Sequence, residues 1–233
     1  MANPSLLTHW PMFGLVVRTP RLELRFADDD LACGVAEAAA QGIHDPDYMP
    51  FSITWTDVPP PQQQRNTLQH FWQMRAAWKP DDWHLLLAVV IDGQPAGVQG
   101  AGAKNFALRR VASTGSWLGR RFQGHGYGKE MRAAILHLMF DGLGATRCES
   151  GAWEDNAPSL GVSRSLGYEE NGDEWLLRRG VSTRQIGLAL TRERWEAHRP
   201  AFDIAIEGLD ACRDMFISRV DEDAGIEDAG RIE

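Results

Sequence analysis

Polar and apolar residues alternate from Arg21 to Phe26, with Leu22, Leu24 and Phe26 set against Arg21, Glu23 and Arg25. That is the period of a strand with one buried face. The period then lengthens: residues 31–40 are alanine-rich, with Asp28, Asp29 and Asp30 in front as cap candidates and Gly42 behind, and they predict a helix. Residues 43–61 carry no period; five prolines, several aspartates and the aromatics Tyr48, Phe51 and Trp55 predict a long loop that packs against something. Leu68, Phe71, Trp72 and Met74 place a helix over 67–78, ended by Lys79-Pro80-Asp81-Asp82. An apolar run over 84–91, the turn pair Asp92-Gly93 and further runs over 94–102 and 112–118 predict an antiparallel meander.

Met131, Ala134, Ile135 and Leu138 recur at helical spacing over 129–141, with Gly142 as the left-handed stop, and a strand over 146–153 then neighbours the one ending at Leu118. Asn156 is placed to cap a short helix with Pro158 in its first turn, Leu160 and Leu166 as packing residues and Gly167 past its end. Residues 174–179 and 185–190 predict strands, and Thr191 caps a helix over 192–198. Beyond these, Phe202, Ile204 and Ile206 alternate, while Leu209, Cys212 and Phe216 have helical spacing. This predicts a strand and helix added over 200–220, packed on the domain of 1–199 or on a partner subunit of a homo-oligomer. Residues 221–233 are acidic, lack aromatics and read as a disordered tail.

A chain of 233 residues can bury a sizeable core, and one domain is the simpler reading. No uninterrupted apolar run approaches a bilayer's thickness, and the N-terminus lacks the basic region and apolar core of a secretion signal. The expectation is a soluble, cytoplasmic protein without a membrane partner. Cys33, Cys148 and Cys212 are odd in number and far apart, which fits neither a disulfide framework nor a metal site and predicts buried thiols. A net charge of −8 argues against a nucleic-acid partner and mildly favours a cationic substrate.

The chemistry-bearing stretch lies between the strand ending at Leu118 and the helix that follows. Gly124, Gly126 and Gly128 lack the Cβ atoms that would block left-handed dihedrals or hold a ligand away, so successive N–H groups can converge on an anion. The helix behind them adds unpaired N–H groups and roughly half a positive charge. A Walker loop is excluded because Lys129 is followed by Glu130 and position 123 is glutamine. The dinucleotide fingerprint fits poorly because the third glycine comes one residue too soon. A flexible turn before a helix is the competing structural reading.

Gln123-x-x-Gly126-x-Gly128 resembles the pyrophosphate loop of the GNAT acyltransferase superfamily. Asn156-Ala-Pro-Ser159 followed by Leu166-Gly167-Tyr168 resembles the end of the same domain. Thr19-Pro-Arg21-Leu22-Glu-Leu24-Arg25 resembles the first strand of its RimJ/RimL-type branch, and the likeness extends over about residues 15–196. The resemblance implies an α/β (α+β) fold: a mixed, largely antiparallel sheet flanked by helices, with two splayed central strands between which the arm of acyl-CoA lies. It implies acetyl-CoA or succinyl-CoA as co-substrate, no metal, and an amine acceptor on a protein N-terminus, a lysine or a small molecule. The long loop 43–61 would border that acceptor. Cofactor contacts fall on Trp117, Leu118, Gln123, Gly124, His125, Gly126, Tyr127, Gly128, Asn156 and Ser159.

The implied reaction is direct attack of an amine on the thioester, which calls for a base, an oxyanion donor and an acid for the leaving thiolate. Related enzymes often place a tyrosine seven residues after the motif asparagine; here Ser163 stands there, as acid candidate or as a small helix residue. The acidic position five residues before the asparagine is Gly151. Glu149, two residues earlier on the same strand face, is the base candidate, with an ion-paired surface glutamate as the competing reading. A catalytically silent CoA-binding or interaction module is the alternative function. Cys148, without an identifiable histidine partner, reads as structural.

Overall fold

In the computed structural model the described residues are 4–217, so the acidic segment 221–233 lies outside them. The chain opens with α1 (Pro4–His9), β1 (Val16–Arg18) and β2 (Glu23–Phe26), then α2 (Asp29–Ala40), α3 (Gln62–Ala76), β3 (Asp82–Ile91) and β4 (Gln94–Lys104). A short α4 (Phe106–Arg109) leads to β5 (Val111–Leu118), α5 (Tyr127–His137), β6 (Arg147–Trp153) and α6 (Ala157–Ser165). The hairpin β7 (Glu169–Arg178) and β8 (Val181–Thr191), α7 (Arg192–His198), β9 (Ala205–Glu207) and α8 (Leu209–Cys212) complete it.

Local chemistry accounts for several boundaries. The Asp28 side chain accepts from Leu31 N and starts α2, and Thr191 does the same for α7 through Arg194 N. Asp92 and Gly93 both take positive φ, the conformation a two-residue hairpin between β3 and β4 requires. Helix α3 begins at Gln62 rather than near 67, because its first turn is glutamine-rich and carries no apolar period to announce it. Strand β7 begins at Glu169 rather than near 174. Its residues are exposed on both faces, so no alternation marks its first half, and Arg179 belongs to the left-handed turn with Gly180.

The end of α5 differs from expectation in an informative way. Its last turn widens to a π-helical one over Leu138–Gly142, and the left-handed residue is Gly144, not Gly142. A Cβ on Gly142 would lie 3.0 Å from Leu209 and 3.1 Å from Ile206, so this glycine admits the C-terminal segment.

Among the described residues the sheet has nine strands in the order β7-β8-β6-β5-β4-β3-β2-β1-β9. Every neighbouring pair is antiparallel except β5 and β6. One face carries the main core, where Leu85, Leu87 and Val89 of β3 meet Met131, Ile135 and Leu138 behind α5. The other face packs Ala88 and Val98 against Ala32, Val35 and Phe71 of α2 and α3. The segment after α7 packs on its own domain: Ile206 of β9 pairs with Val17 of β1, and Trp78 and Trp83 donate their indole N–H groups to the carbonyls of Met215 and Phe216. Cys148 and Cys212 are buried as expected, whereas Cys33 is exposed on the outer side of α2.

Candidate active site

The parallel pair is the origin of the site. Strands β5 and β6 pair only over Val111–Ser113 and Arg147–Glu149. Beyond that point β5 stays on β4 as far as Leu118, and β6 stays on β8 as far as Trp153, so each keeps its outer partner while the inner edges part. At the vertex Ser150 Oγ donates to Thr114 O (3.1 Å) and Thr114 Oγ1 to Glu149 O (3.3 Å). Past the vertex the inner edges have no ladder partner among the described residues and can bond an extended ligand.

The mouth of the fork is the glycine loop. After one 3-10 turn at Arg120–Phe122, Gly124 (φ +79°) and Gly126 (φ +83°) take left-handed dihedrals and α5 starts at Tyr127. No side chain among the described residues caps this helix, so its first N–H groups are left for an outside partner, and Gly124, Gly126 and Gly128 place no Cβ beside them. Gly128 lies inside the helix with ordinary dihedrals, so two of the three glycines supply the turn. Gln123 faces inward instead of toward an anion: its Nε2 donates to Ile43 O and Leu118 O, both at 2.7 Å, which ties the loop to the chain leaving α2. The rings of His125 and Tyr127 are 6.1 Å apart, and Trp117 at the end of β5 contacts Trp55 of the long loop at 5.7 Å.

A model of the acetyltransferase (GNAT) domain matches residues 21–169. The chain belongs to the GNAT acetyltransferase family. Solved structures share the fold. Mycobacterium smegmatis RimJ in complex with CoA-disulfide is 22% identical at a TM-score of 0.62, covering 79% of this chain and 89% of that one. RimL, a ribosomal L7/L12 alpha-N-protein acetyltransferase, is 20% identical at 0.58, covering 76% and 93%. A GCN5-related N-acetyltransferase from Brucella melitensis is 18% identical at 0.62, covering 79% and 81%.

Within this GNAT frame the loop is braced by a pair to which sequence reasoning assigned no role. Glu130, in the first turn of α5, is 3% exposed and accepts from Thr19 Oγ1 (2.6 Å), Arg21 N (3.1 Å) and Arg21 Nε (2.6 Å). Arg21 also donates Nη1 to His125 O (3.0 Å) and lies 4.8 Å from the centre of the Tyr127 ring. The signal was present in Thr19-Pro-Arg21 and in the first-turn carboxylate, but nothing in either pattern told that they meet.

Asn156 Oδ1 accepts from Ser159 N (3.2 Å), so this motif asparagine is the cap of α6. The two candidates for proton transfer are not brought together. Ser163 falls in line with Leu160 and Leu166 on the buried side of α6, fully inaccessible, and its Oγ has no hydrogen-bond partner. Glu149 is partly exposed and ion-paired with Arg147 (2.8 Å). Burial pushes the Cys148 thiol far above its usual value, so it is neutral and unsuited to nucleophilic work.

The long loop closes the far side of the fork. His44, Phe51, Trp55 and Trp117 form a run of ring contacts at 5.8, 5.3 and 5.7 Å, and His44 Nε2 pairs with Thr56 Oγ1 at 2.7 Å. Two arginines at the β7–β8 turn clamp the loop. Arg178 donates to both oxygens of Asp155 (2.8 Å each), to which Tyr48 Oη also donates (3.1 Å). Arg179 donates to both oxygens of Asp57 and to Pro46 O. Hydrogen bonding from Arg178 holds the Asp155 carboxyl below its ordinary range, as Arg179 does for Asp57, and burial with Asp155 nearby pushes Tyr48 up to about 12. A cleft of about 290 Å³ opens here, lined by Gly42, His44, Thr56, Asp57, Gln63 and Arg179. Among the described residues no cluster of His, Cys, Asp and Glu could hold a metal, and no helix is long and apolar enough to cross a membrane.

Proposed function

We propose that the protein transfers an acyl group from acyl-CoA to a primary amine by direct attack in a ternary complex, with a protein N-terminus as acceptor. One observation carries this reading: a parallel strand pair that opens beyond Ser113 and Glu149 next to an uncapped helix start with two left-handed glycines. These residues fit acyl-CoA. The N–H groups from Gly124 to Gly128 would take the pyrophosphate with His125 and Tyr127 beside them, Trp117 and Leu118 would line the pantetheine arm, and Asn156 and Ser159 would close it from α6. Acyl-CoA supplies an activated carbonyl; the amine's lone pair forms the C–N bond, the C–S bond breaks, and the sulfur keeps the electron pair. One proton leaves the amine and one reaches the sulfur. Acetyl is the default acyl group and succinyl the alternative.

On the long loop Asp45 and Asp47, which make no ion pair with a described residue, favour approach of a cationic ammonium, whereas Asp57 and Asp155 are matched by Arg179 and Arg178. RimL's name as an alpha-N-protein acetyltransferase supports an N-terminal amine as acceptor. A second reading, a CoA-binding module without turnover, is favoured by the sealed Ser163 and the ion-paired Glu149. Thiol release and peptide mass spectrometry decide between them, using acetyl-CoA and succinyl-CoA with a library of peptides bearing free N-termini. Acylated N-termini are expected. Calorimetric CoA binding without thiol release from pH 6 to 10 would leave the silent module, and absence of binding would overturn both.

A further inference from the structure

Among the described residues Arg132 is a buried cation with no counter-ion. It lies on α5 within two turns of the glycine loop, is 5% exposed, and reaches across the fork behind the sheet. Its Nη1 donates to Ser150 Oγ on β6 (3.3 Å) and its Nη2 to Ser116 Oγ on β5 (3.2 Å). Both bonds are long for a charged donor. Nε has no hydrogen-bond partner among the described residues.

Every nearby group that could carry negative charge is spoken for or neutral. Glu130, two residues earlier, is held by Arg21 and Thr19, and Glu149 by Arg147. Tyr168, whose hydroxyl bonds Thr114 Oγ1 at 3.2 Å, is pushed up to about 12 by burial, and the Cys148 thiol is pushed higher. Arg132 makes no ion pair with any described carboxylate. A buried charge without its partner is strongly unfavourable unless something supplies the opposite charge.

We infer that Arg132 recognises a second carboxylate on the acyl group, so that the donor is the CoA monothioester of a short dicarboxylic acid. This rests on the acyl-transfer reading above: with the pyrophosphate at the glycine loop and the pantetheine arm at Trp117 and Leu118, the acyl end would lie toward the vertex where β5 and β6 part, and that opening is bracketed by Ser116, three residues past Ser113, and Ser150, one residue past Glu149. A guanidinium is matched to a carboxylate by charge and by its planar fork of donors, whereas a methyl group leaves the charge uncompensated. Ser150 Oγ gives its hydrogen to Thr114 O and accepts from the guanidinium, whereas the Ser116 hydroxyl can turn to accept from it or to donate to an incoming oxygen. A guanidinium that merely ties the two strands together would hold any acyl-CoA equally well.

The test is calorimetric binding of acetyl-CoA and succinyl-CoA to the full-length protein and to Arg132→Met and Arg132→Lys. The parent should bind succinyl-CoA at least tenfold more tightly. Arg132→Met should lose that preference through weaker succinyl-CoA binding, with acetyl-CoA affinity within about twofold, and Arg132→Lys should keep part of it. Equal affinities in the parent, or an equal loss for both ligands in Arg132→Met, would overturn the inference. Should Arg132→Met fail to fold, the parent's selectivity alone decides. Selective succinyl-CoA binding with no thiol release in the presence of amines would sink acyl transfer and leave the recognition site standing. Release from acetyl-CoA without selectivity would do the reverse.

Discussion

The carboxylate of Glu130 and the guanidinium of Arg21 join the corner before β2 to the first turn of α5, and the same arginine holds the carbonyl of His125 between the two loop glycines. A loop of glycines has little stiffness of its own, so the dihedrals of Gly124 and Gly126 are set by what grips the backbone between them. Glu130→Gln removes the charge and keeps the shape. It should destabilise the fold by about 1–3 kcal/mol, since a buried charge-assisted bond is lost while Arg21 remains half-exposed to water. CoA affinity should fall with it. Denaturant unfolding and calorimetry check both, and a variant as stable as the parent would show that the pair does not brace the loop.

Gly126 and Gly124 separate backbone strain from obstruction. Both have positive φ, so alanine at either is strained by about 1 kcal/mol. A Cβ at Gly124 meets nothing within 4 Å, whereas one at Gly126 lies 3.3 Å from Arg21 Nη2 and projects into the cradle. Gly124→Ala should therefore retain most CoA binding, and Gly126→Asp, which adds negative charge there, should lose tenfold or more, about 1.4 kcal/mol. Unchanged CoA affinity in a folded Gly126→Asp protein would remove the loop from the site.

What the sequence told correctly was local. Periods of two and 3.6, the caps at Asp28, Asn156 and Thr191 and the Asp92-Gly93 turn all depend on near neighbours, and they appear where expected. The misplaced boundaries lie where burial is absent or one-sided, at the glutamine-rich start of α3 and the exposed first half of β7. Of the candidate site, the turn at its glycines was legible in the sequence and the pairing of the charges around it was not. Arg21 meets Glu130 across 109 residues, and Arg132 bridges strands that begin 36 positions apart, so no spacing rule could pair them. Ser163 shows the converse: its position after Asn156 suggested chemistry, yet the i, i+3 row it shares with Leu160 and Leu166 already placed it on the packed side.

Ser163 and Asn156 should accordingly separate. A sealed hydroxyl without a partner is costly, so Ser163→Ala should be neutral or stabilising by up to about 1 kcal/mol. Thiol release should be unchanged from pH 6 to 10. Asn156→Ala loses the α6 cap and should destabilise by about 1 kcal/mol, with weaker CoA binding. A tenfold slower but folded Ser163→Ala enzyme would restore the serine as the proton donor.

The clamp between the long loop and the β7–β8 turn gives a pH dependence of defined sign. The Asp155 carboxyl is depressed by Arg178, so its pairing stabilises the closed arrangement above the unfolded value, near about 4, and is lost as pH falls through the lower folded value. Asp57 behaves likewise with Arg179. Tyr48, raised to about 12, stays a donor to Asp155, and the clamp should weaken on the alkaline side only above about pH 10, where the unfolded tyrosine begins to ionise. Amide exchange of residues 43–61, corrected for intrinsic rates, should be flat from pH 5 to 9 and rise below pH 4. Arg178→Gln should show the acid behaviour already at pH 6, because the bidentate bond to Asp155 is gone. Equal loop protection in Arg178→Gln and the parent at pH 6 would mean that the aromatic run from Phe51 to Trp117, and not the arginine pair, holds the loop over the fork.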